Sequence, residues 1–539
     1  MVQLSEPTKN LIVKYELWQQ SLKPKENVAT IHVDEVALKV AAFYEHIRTI
    51  VEWKEEHLMR RAAIIRKLKR RFFDLQENSF SVNDVAEALV LELIRGGYFP
   101  NDRIEESKIA SVQKIVNKYV SLLKQSPKKS RGKSGLQFYT RLLEIAACEI
   151  EETLDPSIKE MALIDYMFDL MKKRIKVNEN VYATGLLTPE EKDIQIYISV
   201  QQALFKLDQP IISYNLIKYK HPKWDNPSPE ELAELTYRIH DIIFGIERDL
   251  DSPLGKKFYA ISEKYDTAYL LIGDILSKEG FEKIQSDLQE PALLEGHVRS
   301  AYTKRLQELK AKITRAAVYS TISIFITKIL SLVALEIILQ KVLKEHFNLP
   351  LLLVDILIPT ALMALLVLSV KPPSKKNINL AVIEVVKIVY QKEKTDTYEI
   401  KMAKKKGVAV RLVLSFTYLA GACVSFGAIY WVFSYFRFPI TSIIINIVFI
   451  ALILFAGTAV QKRSQELTIE EESGGFLVFI SDILFLPITG MGRWLSNTWK
   501  QYNAITAFFN ALIDMPFSVF VEFLERWRYF IKEKKEEIR

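Results

Sequence analysis

Metal or acid–base chemistry needs several side chains to converge, and the 539-residue chain offers seven histidines and two cysteines for it. His32, His46, His57, His221, His240, His297 and His346 fall into no HExxH or other ligand spacing. His46, Glu52, Glu56 and His57 share one predicted helix, and a single helix cannot surround a metal. Cys148 and Cys423 stand alone, without the CxxC pairs of a zinc site or the even set of a disulfide framework. Gly132-Lys133-Ser134 repeats the tail of a phosphate-binding loop, but Pro127 stands where its first glycine belongs and no strand precedes it. Neither GxSxG nor GxGxxG occurs. No catalytic residue, cofactor or metal is expected.

Two charges sit where charge is costly. Lys328 lies inside the apolar stretch Ala316 to Leu339, about 18 Å above its cytoplasmic end if that stretch is a helix. Asp355 lies inside the next apolar stretch, Leu349 to Val370, about 23 Å above the same level. An unpaired charge at that depth costs about 3 kcal/mol, so the spacing predicts a Lys328–Asp355 ion pair. Glu336 and Arg411 lie near stretch ends and can reach the interface. Asn446 can bond across helices, and Pro359 can kink the second stretch.

A second group is basic: Arg60, Arg61, Arg66, Lys67, Lys69, Arg70 and Arg71 crowd the second half of a helical pattern running from Val33 to about Leu75. Such a surface could face phosphate, in nucleic acid or lipid. The plainer reading, a helix face paired with acidic neighbours, is preferred, and nucleic acid is not the expected partner. A third group is amphipathic. Arg493, Trp494, Trp499, Trp527 and Arg528 combine aromatic rings with cations and read as membrane-interface anchors.

These residues must be positioned by something, and the organising elements are four apolar stretches: Ala316–Leu339, Leu349–Val370, Val408–Phe433 and Ile440–Val460. Each is long enough to cross a bilayer as a helix. The connection from Lys371 to Gly407 is lysine-rich, and Lys304, Arg305, Lys310, Lys312 and Arg315 precede the first stretch while Lys462 and Arg463 follow the last. Both termini are therefore expected on the cytoplasmic side of a plasma or inner membrane. The first ten residues have no signal-peptide core, so the first span is expected to direct insertion. No selectivity-filter sequence and no inverted pair of broken spans appears.

The rest reads as all-α. A helical cytosolic region over 1–125, a basic linker over 126–135 and a second helical region over 136–315 precede the four-span domain at 316–460; a carboxyl-terminal region at 461–539 follows. Helices are expected over Leu136–Leu154, Pro156–Val177, Pro189–Leu207, Pro229–Leu250 and Pro253–Lys278, with Thr188, Ser228 and Ser252 as caps. No constant repeat period marks a solenoid. No helix breaker lies between His297 and Leu349, which predicts one helix running from the polar region into the first span. Phe476–Ile488 is too short to span and reads as re-entrant or interfacial. The stripe Ile505–Ile531 reads either as helices lying on the inner leaflet or as a face packed on the amino-terminal region.

Net charge is +8, and much of the surplus borders the apolar stretches, which suits anionic lipid headgroups. The leading functional expectation is a membrane-anchored helical scaffold with a cytosolic protein partner, as part of a homo-oligomer or alone. A small-solute or ion transporter built on the four spans, and a lipid-modifying enzyme at the inner leaflet, are the alternatives.

Overall fold

The computed structural model describes residues 3–23, 28–33, 60–69, 85–125, 133–333, 338, 342, 349–370, 373, 376–390, 397–401, 407–469, 476–501, 523, 527 and 530. The described residues are overwhelmingly helical, with two short strands. Two compact units divide the chain. One holds Glu6–Glu263, Asp396–Ile400 and Ala504–Arg539, and the other holds Met1–Ser5, Lys264–Thr395 and Lys401–Asn503.

The amino-terminal unit is an array of helices: α1 Glu6–Ser21, α2 over 60–69, α3 Val85–Arg95, α4 Ser107–Gln125, α5 Lys133–Leu154, α6 Ile158–Arg174, α7 Glu179–Ala183, α8 Pro189–Phe205, α9 Gln209–Lys220, α10 Pro229–Leu250 and α11 Gly255–Glu263. Local chemistry sets several boundaries. Thr188 and Ser228 each open a helix with a capping box, accepting from the backbone of Glu191 and Glu231 while those carboxylates bond back, and a proline follows each cap. Each cap contributes about 1 kcal/mol. Lys206 ends α8 in the left-handed region at φ 51°. Burial joins the helices: α1 packs on α6, α4 on α5, α5 on α9, and α8 on both α6 and α11.

Ile175–Val177 departs from the expected helix and forms a strand, β1, parallel to β2 at Tyr398–Ile400, with Ile175 opposite Tyr398 and Val177 opposite Ile400. Each strand buries a β-branched residue, Ile175 in β1 and Ile400 in β2, and such residues suit an extended pairing. Asn178 then caps α7 with its side chain and donates its backbone N–H to Ile400 at 3.1 Å. The stretch expected as one helix over Pro253–Lys278 is broken at Lys264-Tyr265.

The other unit contains α12 Asp266–Leu276, α13 Phe281–Asp287, α14 Pro291–Ser331, α15 Leu349–Leu368, α16 Lys376–Tyr390, α17 Val408–Tyr435, α18 Ile440–Ser464 and α19 Phe476–Gln501. Four of these helices, α14, α15, α17 and α18, are long and apolar enough to cross a membrane. α14 runs 41 residues without interruption, roughly 60 Å at 1.5 Å per residue, and carries both a polar and an apolar half.

The polar half is tied to its neighbours. Arg305 forms a two-pronged ion pair with Asp274 of α12, and Arg299 donates to Asn379 of α16 at 3.0 Å. The turn after α18 is pinned at three points: Thr267 donates to the carbonyl of Glu466 at 3.0 Å, Tyr302 to that of Leu467 at 3.2 Å, and the backbone of Ile469 donates to Asn377 at 3.3 Å. α16 lies within the lysine-rich connection and buries Ala381, Val385 and Val389 at helical spacing.

α19 is also longer than the apolar run at its start. It continues through Pro487 for 26 residues and packs on both α17 and α18. Close backbone approach makes this possible. A Cβ on Gly492 would lie 2.1 Å from the carbonyl oxygen of Ala451, and one on Gly421 would lie 2.8 Å from that of Ile483. Ser425 adds a hydrogen bond to the Leu484 carbonyl at 2.6 Å. Small residues and a hydroxyl at such crossings are what apolar helices use to associate.

Candidate functional site

The site is assembled by α14, α15 and α18, which pack on one another. Lys328 projects from the apolar half of α14, and its Nζ lies 2.7 Å from Asp355 Oδ2 of α15. Neither side chain is open to solvent, at 0% and 1% exposure. Asn446 of α18, itself fully buried, donates its amide to the other carboxylate oxygen, Asp355 Oδ1, and to the Ser442 carbonyl at 2.9 Å. The ammonium also sits 5.2 Å from the centroid of the Phe449 ring, close enough for a cation–π contribution.

Acceptors outnumber well-directed donors here. Asn446 Oδ1 has no hydrogen-bond partner, and Asp355 Oδ2 takes its ion contact without a well-aligned hydrogen bond. Pro359 lies four residues after Asp355 inside α15 and has no N–H, so the Asp355 main-chain carbonyl loses its helical donor as well. Apolar layers lie to either side. One contains Met363, Val367 and Ile453 with Ile324 packed against them, and the other Phe433, Phe438, Ile443, Ile450, Ala451 and Ile488. The arrangement holds one positive and one negative charge in a dry setting, where their attraction is strong and losing either partner is expensive.

Other residues singled out in the sequence are placed differently. Among the described residues of α2, several cations meet partners within the unit, while Lys69 is exposed. Arg61 is 2% exposed and pairs with Asp208 at 2.6 Å, with Cys148 Sγ 3.7 Å away. Arg60 pairs with Asp155 at 2.7 Å and Lys67 with Glu92 at 2.9 Å, and Arg66 donates to the Tyr98 hydroxyl at 3.2 Å. Ala63, Ile64 and Leu68 on the same helix are buried, which turns the flanking cations onto acidic neighbours. Arg70 and Arg71 lie outside the described residues, as do Glu336, His46, Glu52, Glu56 and His57. Arg493 and Trp494 are exposed on α19, Trp499 falls in its last turns, and Trp527 is half exposed; Arg528 lies outside the described residues. His32 and His297 each face a single carboxylate, Asp102 and Asp287, at 2.9 Å, and His240 stacks on Phe138.

The amino-terminal unit holds a buried polar cluster that sequence reasoning missed. Glu149 accepts from Lys118 at 2.5 Å, from the Tyr119 hydroxyl at 2.8 Å and from the Trp224 indole at 3.1 Å, while Lys118 also donates to the Trp224 carbonyl at 2.8 Å. Burial pushes the Glu149 carboxyl up and the Lys118 ammonium down, against their mutual attraction. These bonds tie Lys118, Tyr119 and Glu149 to the Trp224 turn and fasten it. In the apolar helices the sequence offered Asn446 as a residue able to bond across helices, and the neighbour it missed is the Phe449 ring. Searches with protein-family models, against curated proteins and against solved structures find no match for this chain.

Proposed function

We propose that this chain is a multi-pass membrane protein acting as a scaffold, which presents its helical amino-terminal unit to a protein partner at the cytoplasmic face. Four helices long and apolar enough to cross a membrane support insertion. The lysines of the 371–407 connection and the cations bordering α14 and α18 support both ends lying on the cytoplasmic side, next to anionic headgroups.

The observation that carries the scaffold over a transporter is the closure of the Lys328–Asp355–Asn446 cluster. All three residues are at 0% exposure, between apolar layers. A conduit needs its charged groups wetted, whereas a pin between helices works best dry. The test uses the full chain in cells and in proteoliposomes, with epitope tags at both ends and dye-reported flux. Both tags on one face, no ion or proton flux, and stoichiometric capture of one protein partner from the membrane fraction are expected. Flux abolished by Lys328→Met would sink the scaffold in favour of transport.

A further inference from the structure

The outward face of α19 changes character partway along the helix. Phe485 and Leu486 are half exposed, and beyond them at helical spacing stand Gly490, Arg493, Trp494 and Asn497, all exposed. On a helix in a bilayer, such a switch from apolar to polar with an aromatic ring beside it marks the headgroup level. Two neighbours give the depth of the switch. A Cβ on Gly492 would meet both the Ala451 carbonyl and the Phe455 Cβ, which sets this part of α19 level with residues 451–455 of α18. The middle of that interval lies about 10 Å above Val460, where the apolar run ends before Lys462 and Arg463. A Cβ on Gly490 would lie 3.3 Å from the Tyr418 hydroxyl, and Tyr418 stands about 10 Å beyond Arg411, the cation at the inner end of α17. Both rulers put the switch well below the surface that the flanking cations define.

We propose that Arg493 and the Tyr418 hydroxyl bind the phosphate of an inner-leaflet phospholipid, recessed about 10 Å below the headgroups around it. The inference rests on the reading of these helices as membrane-crossing and adds to it a lipid site that a scaffold does not require. Gly490 and Arg493 are three residues apart and share a face, so the hydroxyl beside Gly490 and the guanidinium border one patch. Among the described residues no carboxylate pairs with Arg493, which leaves its fork of donors for an anion. An arginine by itself can extend toward the surface and leave the bilayer flat. A tyrosine hydroxyl held against Gly490 cannot follow it. Phe485 and Leu486 continue the same face and offer apolar surface to acyl chains, so the ligand that fits is a phosphodiester with tails rather than free phosphate. Drawing a headgroup and water to this level thins the inner leaflet locally, which is one way a bilayer accommodates an arginine at depth.

The test maps, by peptide mass spectrometry on the full chain in proteoliposomes, the contacts of two photoreactive phosphatidylglycerols, one with a diazirine in the headgroup and one with it near the acyl-chain end. The acyl probe is expected to label α14, α15, α17 and α18 along their apolar lengths; failure to do so overturns the membrane reading and this site with it. Where that labelling is present, the headgroup probe is expected on Tyr418 and on the Gly490–Asn497 turns as well as at Lys462 and Arg463. Headgroup labelling confined to the helix ends overturns the recessed site and leaves the membrane reading standing. Arg493→Leu should cut headgroup labelling at Tyr418 about tenfold, with the acyl map unchanged to show that the helices still pack, and Tyr418→Phe should cut it over Gly490–Asn497 by a smaller factor. Labelling that neither variant changes also overturns the proposal, since the headgroup then enters without a phosphate contact from either residue.

Discussion

At the residue scale the costly groups are charges without water. Reversing either partner alone, as Lys328→Asp or Asp355→Lys, should destabilise the protein by about 3–5 kcal/mol, and the double swap should return most of it. Melting of the detergent-solubilised chain measures this; an additive double variant would deny the coupling. In the amino-terminal unit, Glu149→Gln should cost about 3 kcal/mol by leaving the buried Lys118 without its counter-charge.

Glu151 adds a pH dependence, since burial pushes its carboxyl from 4.5 up to about 7 against the pull of Arg61 and Arg60 and with the help of Asp155 and Asp208. The fold therefore holds this proton more tightly than the unfolded chain does, and stability falls as pH rises from about 4.5 to about 7. Glu151→Gln should flatten that fall and stabilise the protein above neutrality by on the order of 2 kcal/mol, as urea titrations across pH would register.

Counting along two apolar stretches was enough to put Lys328 and Asp355 on one level, because depth in a helix is linear in residue number. Asn446 could be read as a cross-helix partner, but which face of α18 turns toward the pair is settled by packing, so its bond to Asp355 was not legible. The Glu149 cluster was hidden for another reason: Lys118 and Trp224 are 106 positions apart, and no local pattern joins them.

At the element scale, local chemistry was legible and distant pairing was not. The caps at Thr188 and Ser228 could be read because cap, proline and glutamate stand within four residues. β1 could not, because its partner strand comes from the far side of the lysine-rich connection. Nor could the full extent of α19, whose polar second half hides its packing on α17 and α18. That packing makes a matched pair of glycine tests. Gly492→Ala should weaken the α18–α19 contact, because the new methyl would meet the Ala451 carbonyl, while Gly427→Ala, with open space around it, should be silent or slightly stabilising. Cysteine cross-linking between α18 and α19 would report the difference, and equal efficiency in both variants would refute the close approach.

At the scale of the whole molecule, the all-helical class and the four apolar helices could be read from hydropathy alone, whereas the unit boundary at Lys264 could not, since it rests on the packing of α12 against α14 and α16; the unbroken run of α14 followed from the lack of a helix breaker. That continuity makes α14 a lever. A rod roughly 60 Å long that leans by about 10° to fit a thinner bilayer swings its far end by roughly 10 Å, and α12 and α16 travel with that end because Arg305 and Arg299 hold them to it. A change in bilayer thickness would thereby become a sideways displacement of the helices fastened to the polar half of α14.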